Sequence, residues 1–105
     1  ISDSAGRELL SAASRLLARE LGKPEAYVMT SIVPRARMFF AGSDAPACYA
    51  EVKNIGHFDG KLTRRLSAAL SELVATHAGV AKDRVYIEFA DVSAERWGFD
   101  GETFD

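Results

Sequence analysis

From Ser4 to Leu21 the apolar positions Leu9, Leu10, Ala13, Leu16, Leu17 and Leu21 recur at the spacing of one helix face. Ser2, Asp3 and Ser4 are candidate N-caps, Gly22 stands where a left-handed C-terminal residue belongs, and Pro24 prevents continuation. The period then changes. Tyr27-Val28-Met29-Thr30-Ser31-Ile32-Val33 is β-branched and aromatic-rich, which predicts a buried strand ended at Val33-Pro34. Met38-Phe39-Phe40 predicts a shorter strand before the turn residues Gly42-Ser43-Asp44. Ala47 to Ile55 alternates, with Tyr49, Glu51 and Lys53 on one face of a further strand. Leu62, Leu66, Ala69, Leu70, Leu73 and Val74 make a second helical stripe closed by Gly79, and Val85-Tyr86-Ile87-Glu88-Phe89 reads as the next strand. A loop-rich tail carries Trp97, Phe99 and Phe104.

The order contains a repeat. Ala47 to Phe89 is strand-helix-strand, whereas the first unit is helix then strand only. A crossover helix of this amphipathic kind joins two parallel strands. A strand of about 5–10 residues is therefore expected before Ser4, which puts it upstream of Ile1. The fold class is α/β, an α+β sandwich of two pseudo-repeated β-α-β units: a four-stranded mixed sheet with two helices on one face. Strands with apolar residues on both faces, such as those of Val28 and Tyr49, call for burial on both sides, which predicts a homotrimer.

Composition narrows the function more than the fold. At 105 residues, 48% of them hydrophobic, the chain predicts one globular domain over 1–105. Its apolar stretches are too short and too charge-broken to span a membrane. A formal charge of −2 with interspersed signs makes no electrostatic case for nucleic acid, and Arg35 with Arg37 reads as a solvated pair. Cys48 is the only cysteine, so no internal disulfide forms, and no Cys/His set has metal-ligand spacing. No cofactor is expected. The absence of a charged-then-apolar leader and of paired cysteines predicts a cytoplasmic protein, with any release proceeding without a signal peptide.

Five segments, taken in order, resemble the macrophage migration inhibitory factor family of the tautomerase superfamily. They are Leu21-Gly22-Lys23-Pro24-Glu25-Ala26-Tyr27-Val28, Phe40-Ala41-Gly42-Ser43 with Pro46-Ala47-Cys48, Asn54-Ile55-Gly56, Asp83-Arg84-Val85-Tyr86-Ile87, and the tail Trp97-Gly98-Phe99-Asp100-Gly101-Glu102-Thr103-Phe104. The resemblance runs the length of the chain. It implies a trimer of paired β-α-β units and keto–enol tautomerisation of phenylpyruvate-like α-keto acids by an N-terminal proline acting as general base. Counting back along the family pattern puts that proline about nine residues before Ile1, a usual strand length. An α-amino group titrates at about 7.7–8.0, and a cationic, apolar pocket lowers it toward the range where a base works near neutrality.

The resemblance also implies site residues, each with a plainer alternative. Lys23 matches a lysine that meets the substrate carboxylate, and the resemblance favours that role; spacing alone favours a cation at a helix C-terminus. Ile55 matches a residue whose backbone amide contacts substrate, or it simply ends a strand. Tyr86 matches a tyrosine reaching into the neighbouring subunit's pocket, and Tyr27 lies by the same wall; either also serves as a strand aromatic with its hydroxyl at the rim. Trp97, Phe99 and Phe104 must cover an interface, a core or a ligand. Glu88 stands where family members carry asparagine at the pocket edge, and an acid there disfavours anionic substrates unless a cation pairs with it. Ala47, Cys48, Tyr49 and Ala50 do not make the C-x-x-C arrangement of some members, so no thiol-disulfide activity is expected. His57 and His77 read as incidental. The rival readings are a non-catalytic, cytokine-like signalling protein on this scaffold, and an unrelated α/β sandwich lacking any cluster of Lys23, Ile55 and Tyr86.

Overall fold

Ser2 starts the first helix. In a computed structural model that describes all residues, 1–105, its hydroxyl accepts from the Ala5 amide at 3.1 Å and α1 runs from Asp3 to Leu21. Gly22 ends it in the left-handed region (φ 64°), which only glycine enters without a Cβ penalty, and the Lys23 amide returns to the Ala18 carbonyl at 3.0 Å. The second helix, α2 (Gly60–Ala78), repeats the scheme with Asp59 as N-cap, accepting from the Leu62 amide at 2.8 Å, and Gly79 (φ 68°) as terminator.

Strands β1 (Cys48–Ile55) and β2 (Val85–Val92) lie side by side and parallel, with Cys48 opposite Val85 and Ile55 opposite Val92. α2 is the crossover between them, as a parallel pair requires. The helices pack against each other and against one face of this pair. Leu16, Val52, Phe58, Leu66 and Leu70 meet there as a buried cluster, and Leu66 has no exposed surface (0%). The other strand face stays open: Tyr49 and Tyr86 are 52% and 64% exposed. The tail closes as a two-residue hairpin, β3 (Gly98–Phe99) against β4 (Glu102–Thr103).

Two sequence expectations change. The segment Tyr27 to Val33 is not a ladder strand. Tyr27 closes a 3-10 turn with Glu25, and Met29 to Val33 make no backbone–backbone hydrogen bond. They nonetheless alternate like a strand: Val28, Thr30 and Ile32 turn toward α1 while Met29, Ser31 and Val33 face outward. Thr30 donates its hydroxyl to the Leu10 carbonyl at 3.1 Å. The helix thus supplies the seam, but strand pairing needs a second backbone alongside, and none of residues 1–105 provides it. Met38-Phe39-Phe40 likewise reduces to a single bridge, Phe40 with Ser43, because a tight turn at Ala41-Gly42 folds the chain back immediately. No helix is long and apolar enough to cross a membrane.

Candidate functional site

Of the sequence-predicted polar side chains, Lys23 is the one the structure brings to Ile55 at the C-terminal end of β1. Lys23 leaves the last turn of α1 and its ammonium donates to the Ile55 carbonyl at 3.3 Å, half-buried. A lysine has three N–H donors; one is spent here. The remaining donors and the whole positive charge stay available for an anion arriving beside Ile55. The Gly56 amide, next in sequence, donates to the Val92 carbonyl at 3.1 Å and fixes the strand end.

Tyr27, Phe99 and Phe104 form an aromatic group. Tyr27 meets Phe99 edge-on at 5.4 Å and Phe104 edge-on at 5.7 Å, while Phe99 and Phe104 stack at 5.6 Å. All three keep substantial exposure. The hairpin places the two phenylalanines, and the Phe104 amide donates to the carbonyls of Ala94 and Trp97, each at 3.2 Å. Trp97 is half-buried and stands outside the ring cluster. The tail aromatics named from sequence therefore divide, with two joined to Tyr27 and one apart.

Tyr86 and Glu88 are elsewhere. Val92, the register partner of Ile55, lies six residues beyond Tyr86; at about 3.3 Å per residue that is roughly 20 Å along the strand. Within one chain Tyr86 cannot share a ligand with Lys23. Its ring instead packs edge-on against Phe40 at 4.8 Å. Glu88 points from the open face and accepts from the Tyr49 hydroxyl at 3.3 Å. Removal of the Tyr49 phenol from water, together with the charges of Glu88 and Glu51, holds its titration above the usual phenol value. No cation lies within salt-bridge distance of Glu88.

Sequence reasoning missed two arrangements. His57, read as incidental, holds Asp91: its Nδ1 lies 2.9 Å from one carboxylate oxygen, while the Phe58 amide donates to the other at 3.0 Å. These bonds keep the Asp91 carboxyl below the usual carboxylate range, the His57 contact first. The only signal available was that both residues lie near strand C-termini, His57 just beyond β1 and Asp91 at the end of β2, and it becomes a contact only once the parallel register is known. Arg84 is the other; its guanidinium gathers carbonyls of the turn between Phe40 and Pro46. Cys48 is half-buried, and that burial raises its thiol pKa, away from reactive thiolate character. No three His, Cys, Asp or Glu side chains stand close enough together to hold a metal.

The helix-backed parallel pair, matched by the solved structure it superposes on, gives the chain the tautomerase-superfamily fold. Within that class the chain belongs to the macrophage migration inhibitory factor family, whose sequence pattern matches residues 2–105. It is 34% identical over 103 residues to a macrophage migration inhibitory factor homolog of Trichuris trichiura, covering 98% of this chain and 90% of that protein. Its fold superposes on the homologue from Prochlorococcus marinus with a TM-score of 0.94 at 42% identity, covering all of this chain and 92% of that one. The Toxoplasma gondii protein gives 0.88 at 32% identity, covering 98% and 90%.

Proposed function

We propose that this chain is a keto–enol tautomerase acting on phenylpyruvate-like α-keto acids, with Lys23 as the cation for the substrate carboxylate. The observation that carries the reading is the Lys23–Ile55 contact at the strand ends, taken together with family membership. A lysine anchored by one bond to a backbone carbonyl is held in place yet still fully charged, which is what a carboxylate anchor requires. The exposed rings of Tyr27, Phe99 and Phe104 suit the apolar tail of such a substrate. The general base in this reading is the secondary amine of an N-terminal proline upstream of Ile1. Its strand would lie along the unpaired Met29–Val33 backbone.

Assembly belongs to the same proposal. Only 7 of 105 residues are buried in the single chain, and the outward face exposes Met29 (91%) and Tyr86 (64%). A homotrimer covers these surfaces and brings Tyr86 and Glu88 of one copy to the Lys23 end of the next, crossing the roughly 20 Å that separates them within a chain. Two measurements test this with the full-length protein. Phenylpyruvate tautomerisation is followed by loss of enol absorbance, and its absence at any pH from 6 to 8 would leave a non-catalytic binding protein as the better reading. Mixing the impaired Lys23→Ala with the impaired Tyr86→Ala after joint refolding should raise activity above that of either alone, because some pockets in mixed trimers are intact. No restoration would exclude a shared pocket.

A further inference from the structure

Arg84 ends the 3-10 turn Lys82–Arg84 that feeds β2. Its Nε donates to the Pro46 carbonyl at 2.9 Å and Nη1 to that of Phe40 at 3.0 Å. Nη2 donates to Ser43 and Ala45 at 3.1 and 3.0 Å. Four backbone acceptors converge on one planar fork, and no carboxylate shares it. Arginine alone carries enough donors in that geometry; lysine has three and no plane.

The turn so gathered is a special one. Phe40 and Ser43 exchange amide–carbonyl bonds at 2.9 and 3.0 Å, with Ala41 (φ 53°) and Gly42 (φ 73°) both left-handed between them. Ala41 has a Cβ and resists that conformation, so the turn needs an outside hold. The same guanidinium lies 5.3 Å from the centre of the Phe40 ring. Phe40 in turn is the ring packed against Tyr86, edge-on at 4.8 Å and inclined by 65°. No side-chain hydrogen bond holds Tyr86 within the chain, and Phe40 is the aromatic ring packed against it.

We propose that Arg84 is a positioning residue for Tyr86, acting through the clamped Phe40–Pro46 turn. By fixing the turn it fixes Phe40, and through Phe40 the direction in which Tyr86 is presented outward to a neighbouring copy. The catalytic consequence rests on the tautomerase reading above; the geometric one does not. A displaced contact at a reacting centre costs up to about 100-fold in rate, so Arg84 reaches the chemistry without touching substrate.

The experiment has two arms in the full-length protein. With 3-fluorotyrosine at Tyr27, Tyr49 and Tyr86, each fluorine resonance is assigned by single Tyr→Phe changes. Arg84→Lys keeps the charge and loses the fork, and should shift and broaden the Tyr86 signal while leaving that of Tyr27 in place. An unchanged Tyr86 resonance overturns the proposal. In the kinetic arm Arg84→Lys should lower kcat/KM for phenylpyruvate roughly 10- to 100-fold, and should add little in the Tyr86→Ala background. Losses that multiply would mean Arg84 acts independently of Tyr86, and would sink it. Absent activity in the wild type counts against the tautomerase reading alone, and the fluorine arm still decides the positioning. If Arg84→Lys fails to fold, Phe40→Leu keeps the clamp and removes the ring; a Tyr86 signal that stays put in that variant refutes the proposal.

Discussion

The Lys23 ammonium sits 3.3 Å from the Ile55 carbonyl, tying the end of the first helix to the end of a strand 32 residues later. The contact explains why a lysine follows Gly22. The left-handed glycine turns the chain off the helix axis, and Lys23 then reaches across to β1. A charge-assisted hydrogen bond is worth about 1.5–3 kcal/mol, or roughly 10- to 150-fold in binding. Lys23→Met, which keeps the stem and removes the charge, should therefore raise KM for phenylpyruvate by at least tenfold and leave KM for an uncharged keto analogue nearly unchanged. Equal losses for both substrates would mean that Lys23 holds the fold rather than the carboxylate.

Leu66 is the centre of the molecule. Its side chain is wholly enclosed by the cluster that α1, α2 and β1 share. Truncating such a leucine costs the transfer energy and leaves a cavity, about 2–5 kcal/mol together. Leu66→Ala should lower the unfolding free energy by that amount, moving the denaturation midpoint down without altering the slope. Leu73→Ala, partly buried at the edge of the same cluster, should cost clearly less. A ranking in the opposite order in denaturant titrations would show that the core is centred elsewhere.

What the chain reveals of itself follows the range of the forces. Both helices, the Ser2 cap and the two glycine terminators Gly22 and Gly79 were legible, since each acts within one turn of its own position, whereas the Asp59 cap of α2 emerged only with the structure. β1 and β2 were legible because they alternate and each has the other beside it. Tyr27 to Val33 carries the same alternation but has no paired backbone in the described chain, so propensity alone overstated it as a ladder strand. The Lys23–Ile55 meeting was reached through family likeness; spacing alone favoured an ordinary helix-end cation. The His57–Asp91 pair and the Arg84 fork stayed hidden for different reasons. The first needs the parallel register, and the second binds carbonyls, which every residue has and no residue type advertises.

Glu88 accepts from Tyr49 and stands directly opposite Glu51 in the register. Like charges so placed repel, and neither Glu88 oxygen has a cation partner. If Glu88 of one copy faces the anion held by Lys23 of the next, Glu88→Asn should lower KM for an anionic keto acid several-fold, since about 1 kcal/mol of repulsion with the substrate is removed. The same change should move Tyr49 titration down toward the usual phenol value, because Glu88 is one of the groups raising it. Phenolate absorbance in a Tyr27→Phe, Tyr86→Phe background isolates Tyr49. A titration that does not move would show that desolvation and the Glu51 charge raise it without Glu88.

Acid should loosen the molecule through two carboxylates. Asp91 is held low by His57 and then by the Phe58 amide, and Asp59 by the Leu62 amide at the start of α2. Both fold with a pKa below the unfolded one. Each therefore contributes stability that is complete above the ordinary carboxylate value, near pH 4, and disappears as pH falls through the depressed folded value. The melting temperature should accordingly drop between about pH 4 and pH 2 on account of these groups. Asp91→Asn keeps an acceptor for the Phe58 amide and removes the charge. That variant should melt below wild type at pH 7, with the gap narrowing as wild-type Asp91 protonates. Thermal melts of both proteins at half-unit steps from pH 7 to pH 2 measure the gap directly. A difference that stays constant over that range would mean that Asp91 contributes shape and hydrogen bonding but no titrating charge.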